Sequence, residues 1–212
     1  MISLSNNTAS VMYRELAQKT WTDHGYTVKN LEGTVPADLP NLDHIKFITK
    51  KYRSGKERPF TDTEKAVWYS HWFAWRKIVR DNQPAIILEH DSFLTRPLPR
   101  LNEDRLLSYV KDENPRRKKN LGRNADPGFV DIRGNTLYLA PGSGYYLTPR
   151  TASKMVQEAK LNDIDCNSDG FIRYYIDWKE YGYKFNFIEQ RVIGNLVTVD
   201  HGKNRTHLKI VT

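Results

Sequence analysis

The hydrophobic pattern divides the chain into short strands and a few amphipathic helices. Ile2 to Leu4 is a brief apolar opening that reads as a first strand. Asn6, Asn7 and Thr8 supply loop and capping chemistry for a helix whose apolar side carries Val11, Met12, Leu16 and Trp21, with Gly25 as its stop. Tyr26 to Leu31 alternates as a second strand and runs into Glu32 and Gly33. This is a βαβ opening, which predicts a nucleotide-sized crevice at the strand ends. Residues 34–60 are polar, proline-containing and basic, and read as an excursion or loop.

Thr61 to Glu64 is a capping box, in which the threonine hydroxyl takes a helix amide and the glutamate reaches back. The helix it starts runs to about Asp81. Val67, Ser70, His71, Ala74 and Ile78 share one face of it, so Ser70 and His71 point to the apolar side. Adjacent helical residues do not face each other, which argues against a Ser-His nucleophile pair and for a buried, hydrogen-bonded histidine. Next comes the sharpest feature of the chain. An apolar run, Ala85 to Leu88, ends abruptly in Glu89, His90 and Asp91. It predicts a buried strand delivering carboxylates to the sheet edge where open α/β sheets bind ligands, as a metal or nucleotide-diphosphate site. The same pattern also describes a strand end with solvated acids.

Further on, Asn102 to Val110 reads as a helix, and residues 113–123 form a basic loop with Arg116, Arg117, Lys118, Lys119 and Arg123. Two strands, Phe129 to Ile132 and Thr136 to Ala140, flank a turn at Arg133 to Asn135. Pro141 to Gly144 is a tight small-residue turn. Thr148 caps a helix with Pro149 at its first position and Ala152, Met155, Val156 and Ala159 on its buried face. Asp165, Asn167, Asp169 and Gly170 match positions 1, 3, 5 and 6 of a calcium loop, but position 12 is Ile176 where a bidentate glutamate is required. The acidic turn at Asp169 is therefore read as part of a cleft. Tyr181, Tyr183, Phe185 and Phe187 alternate as a half-buried strand, and a later strand ends at Asp200 and His201.

Composition adjusts this picture in three ways. With 212 residues and 39% apolar content, the chain can bury a sizeable core. A net charge of +8 favours a polyanionic partner such as nucleic acid, an anionic membrane surface or a phosphorylated glycan. A single cysteine, Cys166, fits a reducing compartment, and no apolar run approaches the roughly 18 residues of a membrane span. A cytoplasmic protein is expected.

Glu64, Ser70-His71 and Trp75 on one helix, followed by the strand ILEHDSF, resemble the pattern of glycosyltransferase family 25. That family includes lipopolysaccharide sugar transferases, collagen galactosyltransferases and phage-encoded relatives. Ile2-Ser3-Leu4 resembles its opening strand, Leu31-Glu32-Gly33 its acid-glycine element, Tyr145 to Thr148 the strand before its late helix, and Ser168 to Ile172 its late aspartate. Two departures stand out: His90 replaces the middle acid of Glu-Asp-Asp, and the arginine expected near Ser10 and Val11 comes only at Arg14. The resemblance implies an α/β fold with a GT-A-like, Rossmann-type mixed sheet flanked by helices and a β-rich C-terminal part. It also implies a single domain over 1–212, with a nucleotide-binding half at 1–100 and an acceptor and catalytic half at 101–212.

The implied activity is an inverting, metal-dependent transfer from a nucleotide sugar, UDP-linked by preference, with Mn²⁺ or Mg²⁺. Asp169 and Asp91 are the implied catalytic residues. Asp91, Glu89 and His201 are the candidate metal ligands. Ser3, Leu4, Glu64, Ser70, His71, Gly142 and Ser143 are the candidate donor-binding residues. Arg116, Arg117, Lys118, Lys119 and Arg123 are the candidate acceptor or phosphate contacts. The basic stretches at 46–58 and 115–123 fit a surface that tracks a nucleic-acid backbone, and with the compact size and the phage-encoded relatives of the resembled family they make a hydroxymethylated base in phage DNA the leading acceptor. Lipopolysaccharide or another glycan is the alternative, and a non-catalytic nucleic-acid-binding protein on a degenerate transferase fold is the reading from another class.

Overall fold

The computed structural model describes residues 1–51, 57–94, 97–107, 144–176 and 188–190. The basic loop with Arg116 to Lys119 and Arg123, the expected strands at 129–140, the Gly142-Ser143 turn, the alternating tail strand and His201 lie outside the described residues. So does the greater part of the expected β-rich C-terminal region.

The opening is the expected βαβ unit. Strand β1 (Ile2–Ser3) and strand β2 (Leu31–Glu32) pair in parallel, Ile2 with Leu31 and Ser3 with Glu32. Between them runs helix α1 (Thr8–Thr22), capped by the Asn7 side chain, which accepts from the Ser10 amide. Its buried face differs from the expected one. Ala9, Tyr13, Ala17 and Trp21 are buried at successive spacings of four, while Val11 and Met12 are half-buried and Leu16 is exposed. The small alanines let the helix lie close to the sheet, and the Trp21 indole is anchored by donating to the Ser92 carbonyl at 2.8 Å. The second strand is shorter than its alternation suggests: 26–30 is irregular, with the Tyr26 ring edge-on to Trp21 and its hydroxyl accepting from the Leu98 amide.

The 34–60 excursion is not wholly loop. It holds a 3-10 turn (Pro36–Asp38) and a hairpin of β3 (Lys50–Lys51) and β4 (Glu57–Arg58). Helix α2 (Asp62–Asp81) then starts on the expected capping box, with both reciprocal bonds between Thr61 and Glu64 present. It ends at Asn82, a non-glycine residue in the left-handed region at φ 46°. Its middle is apolar nearly all round. Trp68, Trp72 and Trp75 are fully buried with Ser70, His71, Ala74 and Ile78, whereas Val67 is only half-buried.

Strand β5 (Ala85–Leu88) follows, with only its second half buried. It pairs antiparallel with β8 (Gly144–Leu147), and β8 pairs antiparallel with β7 (Arg105–Leu106). A parallel bridge from Ile2 to Glu89 ties β1 to the end of β5, so the order across the molecule is β2-β1-β5-β8-β7. Beside it, β6 (Ser92–Leu94) pairs with β9 (Ile188–Gln190). The expected helix at Asn102 to Val110 is absent from its described part, because Leu106 and Leu107 are buried and Arg105 and Leu106 pair with Tyr146 and Tyr145. Tertiary pairing overrides the local helical pattern there. Helix α3 (Pro149–Leu161) has the expected cap, proline and buried face, and α4 (Ser168–Tyr175) follows.

Successive residues of β5 face opposite sides, so one strand serves two cores. Ala85 and Ile87 pack with α2, α3 and α4 around the tryptophans, and Ile86 and Leu88 pack with Tyr13, Ala17 and Trp21 of α1. The result is an α/β arrangement with a mixed sheet between helical layers.

Candidate active site at the end of β5

The alternation that sorts the β5 side chains continues into the acids. Glu89 falls on the side of α2, His90 on the side of α1, and Asp91 sits in the turn that returns to β6. The Ser92 amide bonds the Glu89 carbonyl at 3.1 Å, which makes His90 and Asp91 the central pair of a β-turn. Glu89 Oε1 lies 3.5 Å from His71 Nε2. The ring of His90 packs edge-on against Tyr13, and its Nε2 is buried without a hydrogen-bond partner among the described residues. Burial pushes the His90 pKa down, against the charge of Glu89, which pulls it up.

His71 is the buried, hydrogen-bonded histidine that its helical position predicts. Its Nδ1 meets the Tyr145 hydroxyl at 2.9 Å, and Trp75 Nε1 donates to the same hydroxyl at 2.8 Å. Burial holds the Tyr145 phenol well above its ordinary pKa. The indole bond works against that, and the negative charges of Glu89 and Asp169 reinforce it. Asp169 stands in the first turn of α4, capped by Asn167, whose Oδ1 accepts from the Gly170 amide. The calcium-loop pattern is therefore a helix start, in which the asparagine oxygen is taken by an amide. Phe171, two residues on, stacks on Trp75 with ring centroids 5.4 Å apart.

Other candidate residues are tied up in the scaffold. Ser70 Oγ donates to the Ala66 carbonyl and accepts from the Thr34 amide, both at 2.8 Å, and so pins the loop after β2 to α2. Glu64 binds Lys50 and Arg58 at 2.7 Å. Ser3 is buried in β1, and the Leu4 amide donates to Ser10 Oγ. Ser3 and Leu4 nonetheless lie where β1 ends, beside Glu89. A groove of about 470 Å³ runs beside β5 from Pro84 to Leu88, lined also by Met1, Lys29 and Gln83, and none of the candidate residues among the described ones lines it.

No group of three or more His, Cys, Asp or Glu residues suited to a metal ion occurs among the described residues. The donor set that remains is the turn itself. Glu89 is directed at His71 and His90 Nε2 is buried, and Asp91, half-buried, is the second acid of this turn. One carboxylate plus substrate phosphates is a sufficient protein contribution for Mg²⁺-type binding.

Tyr145 and Tyr13 were not singled out as site residues by their sequence positions, and Trp75 entered only as part of a pattern. A signal existed for Trp75. His71 and Trp75 are four apart on an apolar face, so both buried polar rings call for hydrogen-bond partners from outside the helix.

Residues 1–172 match the model of glycosyltransferase family 25 (LPS biosynthesis protein). The chain belongs to glycosyltransferase family 25. Comparison with curated proteins gives no match, and comparison with solved structures gives none. Membership makes the protein a glycosyltransferase and implies a nucleotide-sugar donor. The match spans β1 through the first half of α4, and so includes Glu89, Asp91 and Asp169. No helix among the described residues is long and apolar enough to cross a membrane.

Proposed function

We propose that this glycosyltransferase moves a sugar from a UDP-linked donor to a hydroxyl of a glycan, with inversion, on a GT-A-like sheet. The observation that carries the reading is the placement of Glu89 and Asp91 at the end of β5, bridged to β1 through Ile2, within the stretch that matches the family. In a single displacement the acceptor oxygen bonds the anomeric carbon as the bond to the diphosphate oxygen breaks. Asp169 takes the acceptor's proton, a role worth about 10²–10⁴-fold. Asp91 would hold a Mn²⁺ or Mg²⁺ ion, whose chemistry when bound is Lewis-acid neutralisation of the departing diphosphate. Ser3, Leu4 and the Gly142-Ser143 turn are the donor contacts in this reading. Ser70 acts through the loop it pins.

A glycan is preferred to a hydroxymethylated DNA base on two grounds. The matching family is described by lipopolysaccharide biosynthesis. In the 46–58 stretch, Lys50 and Arg58 are bound to Glu64, which removes two cations from a backbone-tracking surface. The test is transfer of labelled sugar from UDP-sugars, with Mn²⁺ or Mg²⁺, to lipopolysaccharide-type oligosaccharides and to hydroxymethylated duplex DNA. Asp169→Asn and Asp91→Asn are each expected to lower transfer by about 10²-fold or more. Full activity in both variants would sink the assignment of the acids, and incorporation into DNA alone would sink the choice of acceptor.

A further inference from the structure

The buried chain Trp75–Tyr145–His71 ends on Glu89, and its protons can be assigned. An indole N–H only donates, so the Tyr145 oxygen accepts from Trp75 at 2.8 Å. The phenol's own proton then needs an acceptor. Among the described residues Tyr145 bonds only Trp75 and His71, and of these only His71 Nδ1, at 2.9 Å, can accept. A neutral imidazole that accepts at Nδ1 carries its proton on Nε2. That nitrogen lies 3.5 Å from Glu89 Oε1.

We propose that His71, held as its Nε2–H tautomer by Tyr145 and Trp75, is a positioning residue that donates to Glu89 and fixes this carboxylate at the donor edge during sugar transfer. The separation of 3.5 Å is longer than a formed hydrogen bond. Bonds of this kind are commonly long without substrate and tighten in the complex, and here a movement of about half an ångström suffices. Trp75 extends the device to the second carboxylate. The indole that donates to Tyr145 also stacks on Phe171, which lies two residues from Asp169 on α4. One side chain of α2 therefore contacts both the Tyr145 hydroxyl and α4, the helix that carries Asp169.

The proposal rests on the acidic edge serving the donor, and its test separates the two ideas. Two-bond ¹H–¹⁵N correlations on ¹⁵N-histidine-labelled protein report the tautomer directly. The wild type is expected to show His71 protonated at Nε2 and not at Nδ1, and Tyr145→Phe to lose that pattern. A second pair of variants reads the role. The amide of His71→Gln reaches the Nε2 position and can donate to Glu89, whereas that of His71→Asn reaches only the Nδ1 position. His71→Gln is expected to keep about 10-fold more kcat than His71→Asn at similar KM, the scale of one hydrogen bond to a charged group. An Nδ1–H or doubly protonated His71 in the wild type overturns the proposal, as does equal kcat for the two variants. Failure of the site reading looks different: Asp91→Asn then transfers sugar normally while the wild-type tautomer stands, which removes the role in transfer but not the proton assignment.

Discussion

Glu64 shows how one residue can satisfy a family pattern through structure. Burial alone would raise its carboxyl. Hydrogen bonds from Arg58 and Lys50 and from the Thr61 amide, with the Lys50 charge, outweigh that and hold it at about 2 against an ordinary 4.5. A folded-state pKa below the unfolded one contributes stability that is present above about 4.5 and is lost as pH falls through about 2. Glu64→Gln preserves the capping box, since glutamine serves at that position, but loses both ion pairs. After allowance for solvent screening, the variant should be about 1–2 kcal/mol less stable at pH 7. Urea denaturation at a series of pH values should show the gap closing between about 4.5 and about 2. A gap that stays constant through that range would place the role of Glu64 elsewhere than in charge. The capping box was legible in sequence because it is local. The two cations were not, because the hairpin that brings them is set by pairing outside the helix.

Among the elements, the β1–β2 pair leaves no room for a side chain at Gly33. A methyl group on Gly33 would meet Leu4 Cδ2 at 3.0 Å and the Ser3 carbonyl oxygen at 3.3 Å. The Gly33 amide also donates to that oxygen at 2.7 Å. Gly33→Ala should therefore displace the end of β1, at a cost of about 1–3 kcal/mol. Because Ser3 and Leu4 border the acidic edge, the variant should raise the donor KM more than it lowers kcat. Steady-state kinetics on folded protein check this, and an unchanged KM would detach β1 from donor binding. The elements also show where periodicity misleads. The α1 face was misassigned because Val11, Met12 and Leu16 are more apolar than the alanines that lie on the sheet, yet close approach needs the small residues. At Arg105 and Leu106, pairing with β8 decides the backbone against the local helical pattern.

At the scale of the molecule, β5 is the partition. Its alternation feeds two cores and then, one residue further, sorts Glu89 to α2 and His90 to α1. The site is thus an extension of the packing, and donor binding should be coupled to global stability. UDP with Mn²⁺ at 100 times its Kd should raise the unfolding free energy by about 2.7 kcal/mol. Thermal shift measurements should register this in the wild type, with most of it absent in Asp91→Asn. Equal shifts in the two proteins would remove Asp91 from the ligand site.

The opening βαβ order, the capping of α2 and α3, the strand ending in acids and the family itself were determined by the sequence alone, because each depends on residues close along the chain. The tertiary structure decided which acid faces which helix and that the Tyr145 hydroxyl bridges His71 and Trp75. It also decided that Glu89 faces the buried imidazole of His71. These depend on β5–β8 pairing and on α2–α4 packing, which join residues far apart in sequence. The hydrophobic pattern establishes that the segments bury their apolar faces. Only the register of strands and the contact of rings determines what the few buried polar atoms find there.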